Sequence, residues 1–406
     1  MMRACGIIAE YNPFHQGHQY QLECAKRESG ADVIIVAMSG NFVQRGEPAI
    51  FDKWTRAKMA LKQGADIILE VPTIACVQSS DYFAKAGVCL LADAGCFALS
   101  FGSEEAGRKE FTRAFEQWCS IEDKLHQSLK EAKDLKHLSY PRQIAELVAR
   151  QYPKACALQE ILKNPNQQLG FSYLKAIHKE KPKMEIFPIK RVGANHNDEE
   201  AYLQQFASGT AIRQVLCQSS SQLHVDDSFL AKQLALSKEE LTEFLDKQAI
   251  VSWESYWSLL QYRLVTWSEE ELRQIYQMNE GIEVRLKKFA SSATSFADFL
   301  AVVKNKRWTQ TRLQRLLIYC LLGITKEEVE RYFSEGNQAI QVLGFSSNGR
   351  EYLKALKKSS AVPFITNYAS TKDIFKKQYQ IDQVYRLADS AKILEQNIKR
   401  IPIIIT

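Results

Sequence analysis

The sequence predicts an α/β protein: a parallel sheet covered by helices on its faces, followed by a mainly α-helical C-terminal domain. Three observations predict it. Short apolar runs alternate with amphipathic stretches through the first half of the chain. Those runs are nearly continuous in Val, Ile and Leu, as strands buried on both faces must be. Beyond residue 227 helical periodicity dominates. Strand, helix, strand at this spacing reads as a parallel sheet with crossover helices.

The strand candidates are "RACGIIAEY" (3–11), "ADVIIVAMS" (31–39), "ADIILEVP" (65–72), "CFALSFG" (96–102) and "KMEIFPIKR" (183–191). Between them lie helical patterns at 17–29, 52–64 and 82–94, each closed by Gly or Asp-Ala-Gly. Residues 105–181 insert mostly helix before the sheet resumes. The polar stretch "CQSSSQLHVDD" (217–227) reads as a boundary between a catalytic domain, 1–220, and a helical domain, 221–406. In "WTQTRLQRLLIYCLL" one helical face collects Leu313, Leu316, Leu317 and Cys320; a helix reaching back to Lys304 puts Lys304, Trp308 and Arg315 on the opposite face.

A chain of 406 residues exceeds one compact core. No run approaches the roughly 18 apolar residues of a membrane span, and the first residues lack a signal peptide's three-part layout. Nine scattered cysteines without a C-x-x-C pair argue for reduced thiols and a cytoplasmic location, and against structural zinc. Between Gly281 and Arg315 eight basic residues face two acids, a surplus of six that equals the net charge of the whole chain. Such a window is the electrostatic footprint of a polyanion partner, or a solvated helix face.

"EYNPFHQGHQYQL" (10–22) places His15 and His18 around Gly17 where a strand hands over to a helix. A helix start offers unpaired N–H groups and partial positive charge, hence an anion site, and Gly17 lets a ligand approach the backbone. Two imidazoles at i and i+3 can donate to oxygens that gain charge in phosphoryl or nucleotidyl transfer. Metal binding is the competing reading, with Glu10 as a further ligand, but H-x-G-H is not a zinc spacing. "SGTAIR" (208–213) repeats the pattern: Ser208 and Thr210 at a helix start, Arg213 one turn inside, able to cap the helix or to hold phosphate. With no Walker or dinucleotide glycine motif, ATP would bind at these two helix starts.

Strand, H-x-G-H, further α/β units and then S-x-T-x-x-R resemble the HxGH nucleotidyltransferase superfamily, with its Rossmann-like parallel sheet. "EYNPFHQGH" (10–18), "MSGNFVQRGEPAIFDKWTRAKMAL" (38–61), "FGSE" (101–104), "NPNQQLGFSYLKAI" (164–177) and "VLGFSSNGREYLK" (342–354) are similar to the tRNA(Met) cytidine acetate ligase family over essentially the full length. The resemblance implies activation of acetate by ATP to acetyl-adenylate, then transfer to the wobble cytidine of elongator tRNA(Met) as N4-acetylcytidine. Mg²⁺ is expected with the ATP phosphates. It implies His15, His18, Thr210 and Arg213 as catalytic residues. ATP would lie along Ile7, Ile8, Ala9, Glu10, Tyr11, Asn12, Pro13, Phe14, His15, Gln16, Gly17, His18, Gln19 and Tyr20, with Gly102, Asn166, Arg191 and Ser208. Asn164 departs from the family's pattern, standing where Ser is expected.

The acetate pocket is expected in "SGNFVQRGEP" (39–48), at Ser39, Gly40 and Arg45, because ligands gather at strand ends in open α/β sheets. Transfer from a mixed anhydride mainly requires holding the amine against the carbonyl, and no base is named. Lys53 and Arg56 face phosphate or solvent, and Asp66 and Glu70 cap or sit on the surface; the sequence does not separate these. Contact with tRNA is expected at Lys287, Lys288, Lys304, Lys306, Arg307, Arg312 and Arg315, with Trp308 stacking. Two other functions fit fewer features: an adenylyltransferase with a small-molecule acceptor, and a non-catalytic RNA-binding protein.

Overall fold

The structure, a computed structural model, describes residues 2–105, 107–191, 207–219, 227–367 and 373–406. Ten strands are present among them: β1 (Ala4–Ala9), β2 (Val33–Ser39), β3 (Phe42–Val43), β4 (Glu47–Pro48), β5 (Ile67–Val71), β6 (Ala98–Ser103), β7 (Glu185–Lys190), β8 (Ile340–Ser346), β9 (Phe364–Ile365) and β10 (Ile403–Ile405). The main sheet runs β10-β8-β5-β2-β1-β6-β7, with β9 also on β8. All five strands expected in the first half are there, and β5, β2, β1, β6 and β7 pair in parallel. β1, β2 and β5 are buried from end to end, which is why their sequences carry no polar alternation.

Helix α1 (Gln16–Ser29) follows β1 and is stopped by Gly30, whose φ of 62° permits the left-handed turn. Helix α2 (Lys53–Lys62) is capped by Asp52, which accepts from the Trp54 and Thr55 amides. Next come the short α3 (Thr73–Cys76) and α4 (Ser80–Asp93). α4 lies close against β1: a Cβ on Gly6 would meet Leu91 at 2.5 Å, and one on Gly87 would meet Ile8 at 2.6 Å. The insertion is helical as expected, with α5 (Arg108–Glu131), α6 (Tyr140–Gln151), α7 (Cys156–Lys163) and α8 (Pro165–Glu180) packing with α4 on one face of the sheet. The other face is covered by α1, α2, α9 (Gly209–Ser219), α10 (Asp227–Leu234) and α11 (Lys238–Lys247).

A third core is helical: α12 (Trp257–Thr266), α13 (Glu269–Arg273), α14 (Ile282–Ala290), α15 (Phe296–Val303), α16 (Gln310–Leu322) and α17 (Lys326–Glu335). After α17 the chain returns to the sheet. β8 pairs antiparallel to β5, with Ile67 opposite Phe345, and β10 pairs parallel to β8. Between them run α18 (Ser347–Leu356) and α19 (Lys376–Arg386). Residues 227–406 are thus mainly helical, as expected, and also carry β8, β9 and β10. Most of the serine-rich stretch read as a boundary lies outside the described residues. Asp66 fastens the returning strand, accepting from the Ile34 amide at 2.9 Å and the Ser346 hydroxyl at 2.7 Å. α16 begins at Gln310, and Lys304 instead ends α15, so Lys304, Trp308 and Arg315 share no helical face.

Candidate active site

The two histidines cap α1 reciprocally. The Gly17 amide donates to His15 Nδ1 at 3.0 Å, and the His15 amide donates to His18 Nδ1 at 3.3 Å. The rings stack at 3.8 Å between centroids, and His18 also rests on Tyr11 at 4.7 Å. Two of the amides expected to meet an anion are thus occupied by the rings. The donors move outward instead: with Nδ1 accepting, the hydrogen-bond network assigns the proton of each neutral ring to Nε2. Burial, reinforced by the Arg191 charge, lowers the His15 pKa to about 4. Burial, the neighbouring His15 and Arg191 hold His18 well below the usual imidazole range. Both are neutral Nε2–H donors at neutral pH.

The second helix start lies against the first. A Cβ on Gly209 would sit 3.2 Å from the Asn12 carbonyl oxygen and 3.9 Å from the His15 ring. Arg213 Nη1 donates to that carbonyl at 2.8 Å and Nη2 to the Thr210 hydroxyl at 3.2 Å; Glu47 lies 3.5 Å from Nη2. The Ser208 hydroxyl accepts from the Ala211 amide. Residues about 190 apart in sequence therefore converge. Arg191, whose amide donates to the Ser103 carbonyl, lays its stem over Gly102, and Asn166 donates to the Glu104 carboxylate. Between these elements Glu10 Oε1, the Tyr11 hydroxyl, the Ser100 and Ser103 hydroxyls and Glu104 Oε2 are enclosed without a hydrogen-bond partner among the described residues. Buried polar atoms are seldom left so. Their clustering at the carboxyl ends of β1 and β6 marks a place where a polar ligand belongs. Tyr11, at φ 46°, is one of five non-glycine residues in the left-handed region among those described.

The loop after β2 does not form the expected pocket. Ser39 and Gly40 are buried. Ser39 Oγ accepts from the Cys76 thiol, and Glu70 covers Gly40 so closely that a Cβ there would meet Oε1 at 2.6 Å. Their carbonyls accept from Arg56, which also donates to the carbonyls of Glu10 at 2.7 Å and Phe51 at 2.9 Å. Arg56 faces neither phosphate nor solvent; it clamps the ends of β1 and β2 to α2. Arg45 alone of the expected three is exposed, and its charge opposes the upward push of burial on the Glu10 carboxyl.

Lys53 is equally buried. Its Nζ lies 2.8 Å from Glu70 Oε2 and 2.7 Å from Asp382 Oδ2. Asn41, Gln378 and Asn397 donate to those carboxylates. Sequence reasoning missed this cluster, because Asp382 stands 329 positions beyond Lys53.

The basic window divides. Lys287 donates to the carbonyls of Leu264, Val265 and Trp267, and Arg285 to those of Val302 and Val303, so both close helix ends. Arg307 and Arg312 share Glu280, at 2.8 and 3.7 Å. Trp308 is only 4% exposed and lies under the Arg312 guanidinium at 3.8 Å, so it presents no face to a base. Lys288, Lys304 and Lys306 are exposed.

The parallel sheet, the paired histidines and the facing S-x-T-x-x-R helix define a nucleotidyltransferase. The family described as HIGH Nucleotidyl Transferase matches residues 2–400. Relatives named tRNA(Met) cytidine acetate ligase include that of Geobacillus sp. (strain WCH70), 38% identical over 91% of this chain and 90% of the relative. Another, from Ligilactobacillus salivarius (strain UCC118), is 37% identical over 99% of this chain and all of the relative. The crystal structure of Thermotoga maritima TmcAL (apo, form I) is similar over 100% of both chains, with TM-score 0.85 and 29% identity. That of the same protein bound with alpha-thio ATP has TM-score 0.81 and 28% identity over 99% of both chains. The chain belongs to the tRNA(Met) cytidine acetate ligase family.

Proposed function

We propose that the chain ligates acetate to the wobble cytidine of elongator tRNA(Met) in two steps at the β1 and β6 strand ends. ATP, accompanied by Mg²⁺ as part of the substrate, lies along residues 7–20, Gly102, Asn166, Arg191 and Ser208. A carboxylate oxygen of acetate attacks the α-phosphorus; the new O–P bond forms as the bond to pyrophosphate breaks. His15 and His18 donate from Nε2–H to phosphate oxygens that gain charge, while Thr210 and Arg213 hold the opposite side. The exocyclic amine of cytidine then attacks the acetyl carbonyl, a C–N bond forms as one N–H proton is released to solvent, and AMP leaves with the electrons of the C–O bond. With Ser39 and Gly40 enclosed, Arg45 is the cation left to receive acetate, and Arg45→Ala raises the acetate KM about tenfold, the scale of one charge-assisted contact.

The observation that carries this reading is the pair of stacked rings, both presenting Nε2–H beside a second helix start. Labelled acetate incubated with the protein, ATP, Mg²⁺ and bulk bacterial tRNA tests it. Label recovered in RNA as acetylated cytidine, dependent on ATP, is the expected result. Acetate-dependent pyrophosphate release without labelled RNA would keep the adenylation and change the acceptor. No pyrophosphate release would leave an RNA-binding protein. Chelating Mg²⁺ is expected to stop the first step.

A further inference from the structure

Four of the eight cations of the basic window are engaged by the protein, three lysines are exposed, and one cation is enclosed without a partner among the described residues. Arg315, on the second turn of α16, has its Nε shut away from solvent with no hydrogen-bond acceptor, and it takes part in no ion pair among the described residues. The groups that face it are Tyr276, Tyr319 and a second cation, Arg312; burial and Arg312 both disfavour its charge, and the two tyrosines only partly offset them. The Tyr319 hydroxyl donates to the Val77 carbonyl, and it forms no hydrogen bond with the Arg315 guanidinium. A buried guanidinium without an anion is costly to fold, yet guanidinium stays protonated at any physiological pH. Such a site is complete only with an oxyanion supplied from outside.

The surroundings select the oxyanion. Arg315 as a whole is half-buried, so the residue is not sealed from solvent. Arg312 precedes it by one turn on the same face, sharing Glu280 with Arg307. The connection into α16 carries Lys304 and Lys306, both exposed. On its other side α16 abuts the β3–β4 turn: a Cβ on Gly46 would meet the Arg315 backbone nitrogen at 2.2 Å, and Gln314 donates to Glu47. That turn carries Arg45 and Glu47, and Glu47 faces Arg213. An anion at Arg315 is therefore held one hairpin away from the nucleotide site, at the edge of a positive surface. A long polyanion meets that description; a small free anion would gain nothing from the flanking lysines.

We propose that Arg315, backed by Arg312, binds one backbone phosphodiester of the RNA substrate and fixes it against the hairpin bordering the active site. The fork of the guanidinium suits two phosphate oxygens at once. The inference rests on the tRNA reading above. It also separates the window by role: Lys287 and Arg285 hold helices, Lys304 and Lys306 attract RNA, and Arg315 positions it.

The test compares the intact protein with Arg315→Gln and Arg315→Lys, titrating an unmodified tRNA(Met) transcript at a series of salt concentrations. In Arg315→Gln, affinity is expected to fall about tenfold, and the slope of log K against log salt to shrink by about 0.7–0.9, one phosphate's worth. Arg315→Lys keeps the slope and loses part of the affinity. The thermal midpoint of Arg315→Gln is not expected to fall, because an uncompensated buried charge has been removed. An unchanged slope in Arg315→Gln overturns the proposal, whatever happens to affinity. If the wild-type protein binds no tRNA, the substrate reading fails first and this inference with it; if wild type binds and the slopes agree, only the inference fails.

Discussion

Two polar regions lie at the carboxyl ends of the strands, and they are built on opposite plans. Beyond β1 and β6, Glu10 Oε1, the Tyr11, Ser100 and Ser103 hydroxyls and Glu104 Oε2 are buried with no hydrogen-bond partner among the described residues. Beyond β2 and β5, one ammonium meets two carboxylates, and three side-chain amides meet those carboxylates in turn. The contrast teaches how to separate a binding site from a joint when both are polar, buried and at strand ends. Unmet hydrogen-bonding capacity belongs to a ligand. Saturated capacity belongs to the fold, and here it binds α19 and residues 395–397 to a sheet laid down 300 residues earlier.

The largest effect expected from that contrast is on stability. Lys53→Met leaves the Glu70 and Asp382 carboxylates buried without their cation and should cost about 3–5 kcal/mol, read as a lower urea midpoint for unfolding. A cost below about 1 kcal/mol would show that the cluster is not a joint. The next effect is on chemistry. His18→Ala should slow acetate-dependent pyrophosphate exchange by a factor on the order of 100–1000, as for loss of one preorganised donor, with the urea midpoint close to wild type. Equal losses of activity and stability would erase the distinction between the regions.

Acid sharpens it further. The folded His15 pKa of about 4 lies below the ordinary 6.5, so the unfolded chain binds more protons between those values. The stability this provides is whole above 6.5 and declines as the pH falls toward 4. Histidine resonances followed by NMR should show neither ring titrating near 6.5; a midpoint there would refute the buried neutral pair. The smallest effect is Glu70→Gln. Burial pushes Glu70 up to about 7, but both its oxygens accept from Lys53, so the amide sets an N–H against a donor and should cost about 1–3 kcal/mol, less than Lys53→Met because Asp382 still faces the ammonium.

The first half of the fold was legible because each buried strand announces itself locally: "CGIIA", "DVIIVA" and "DIILEV" need no partner to be recognised. β8 and β10 were not, although their sequences are equally apolar. "VLGFS" and "IPIIIT" are single runs at the far side of a helical domain; the β8 partner, β5, lies more than 270 positions upstream, and β10 pairs with β8. The site was legible in the same uneven way. His15, His18, Thr210 and Arg213 sit at helix starts, where spacing alone implies a role. Which way a side chain turns is not written in spacing: Ser39, Gly40 and Trp308 were expected to meet ligands and are enclosed. Arg56 and Lys53 were ambiguous because a charge near a helix start looks alike whether it faces water or four carbonyls.

The return of β8 and β10 also sets an order on biosynthesis. When residue 220 leaves the ribosome, every strand from β1 to β7 has been made, but the hydrogen-bonding edge of β5 has no neighbour and Lys53 has only Glu70. The edge is closed only after Ile340–Ser346 emerges, and the Lys53 cluster is completed only after Asp382. The nascent N-terminal part thus waits, with an open β edge and an unfinished ion cluster, for the last fifth of the chain. Polypeptides that stop before Ile340 carry the histidine pair and most of the sheet, yet leave the β5 edge unpaired.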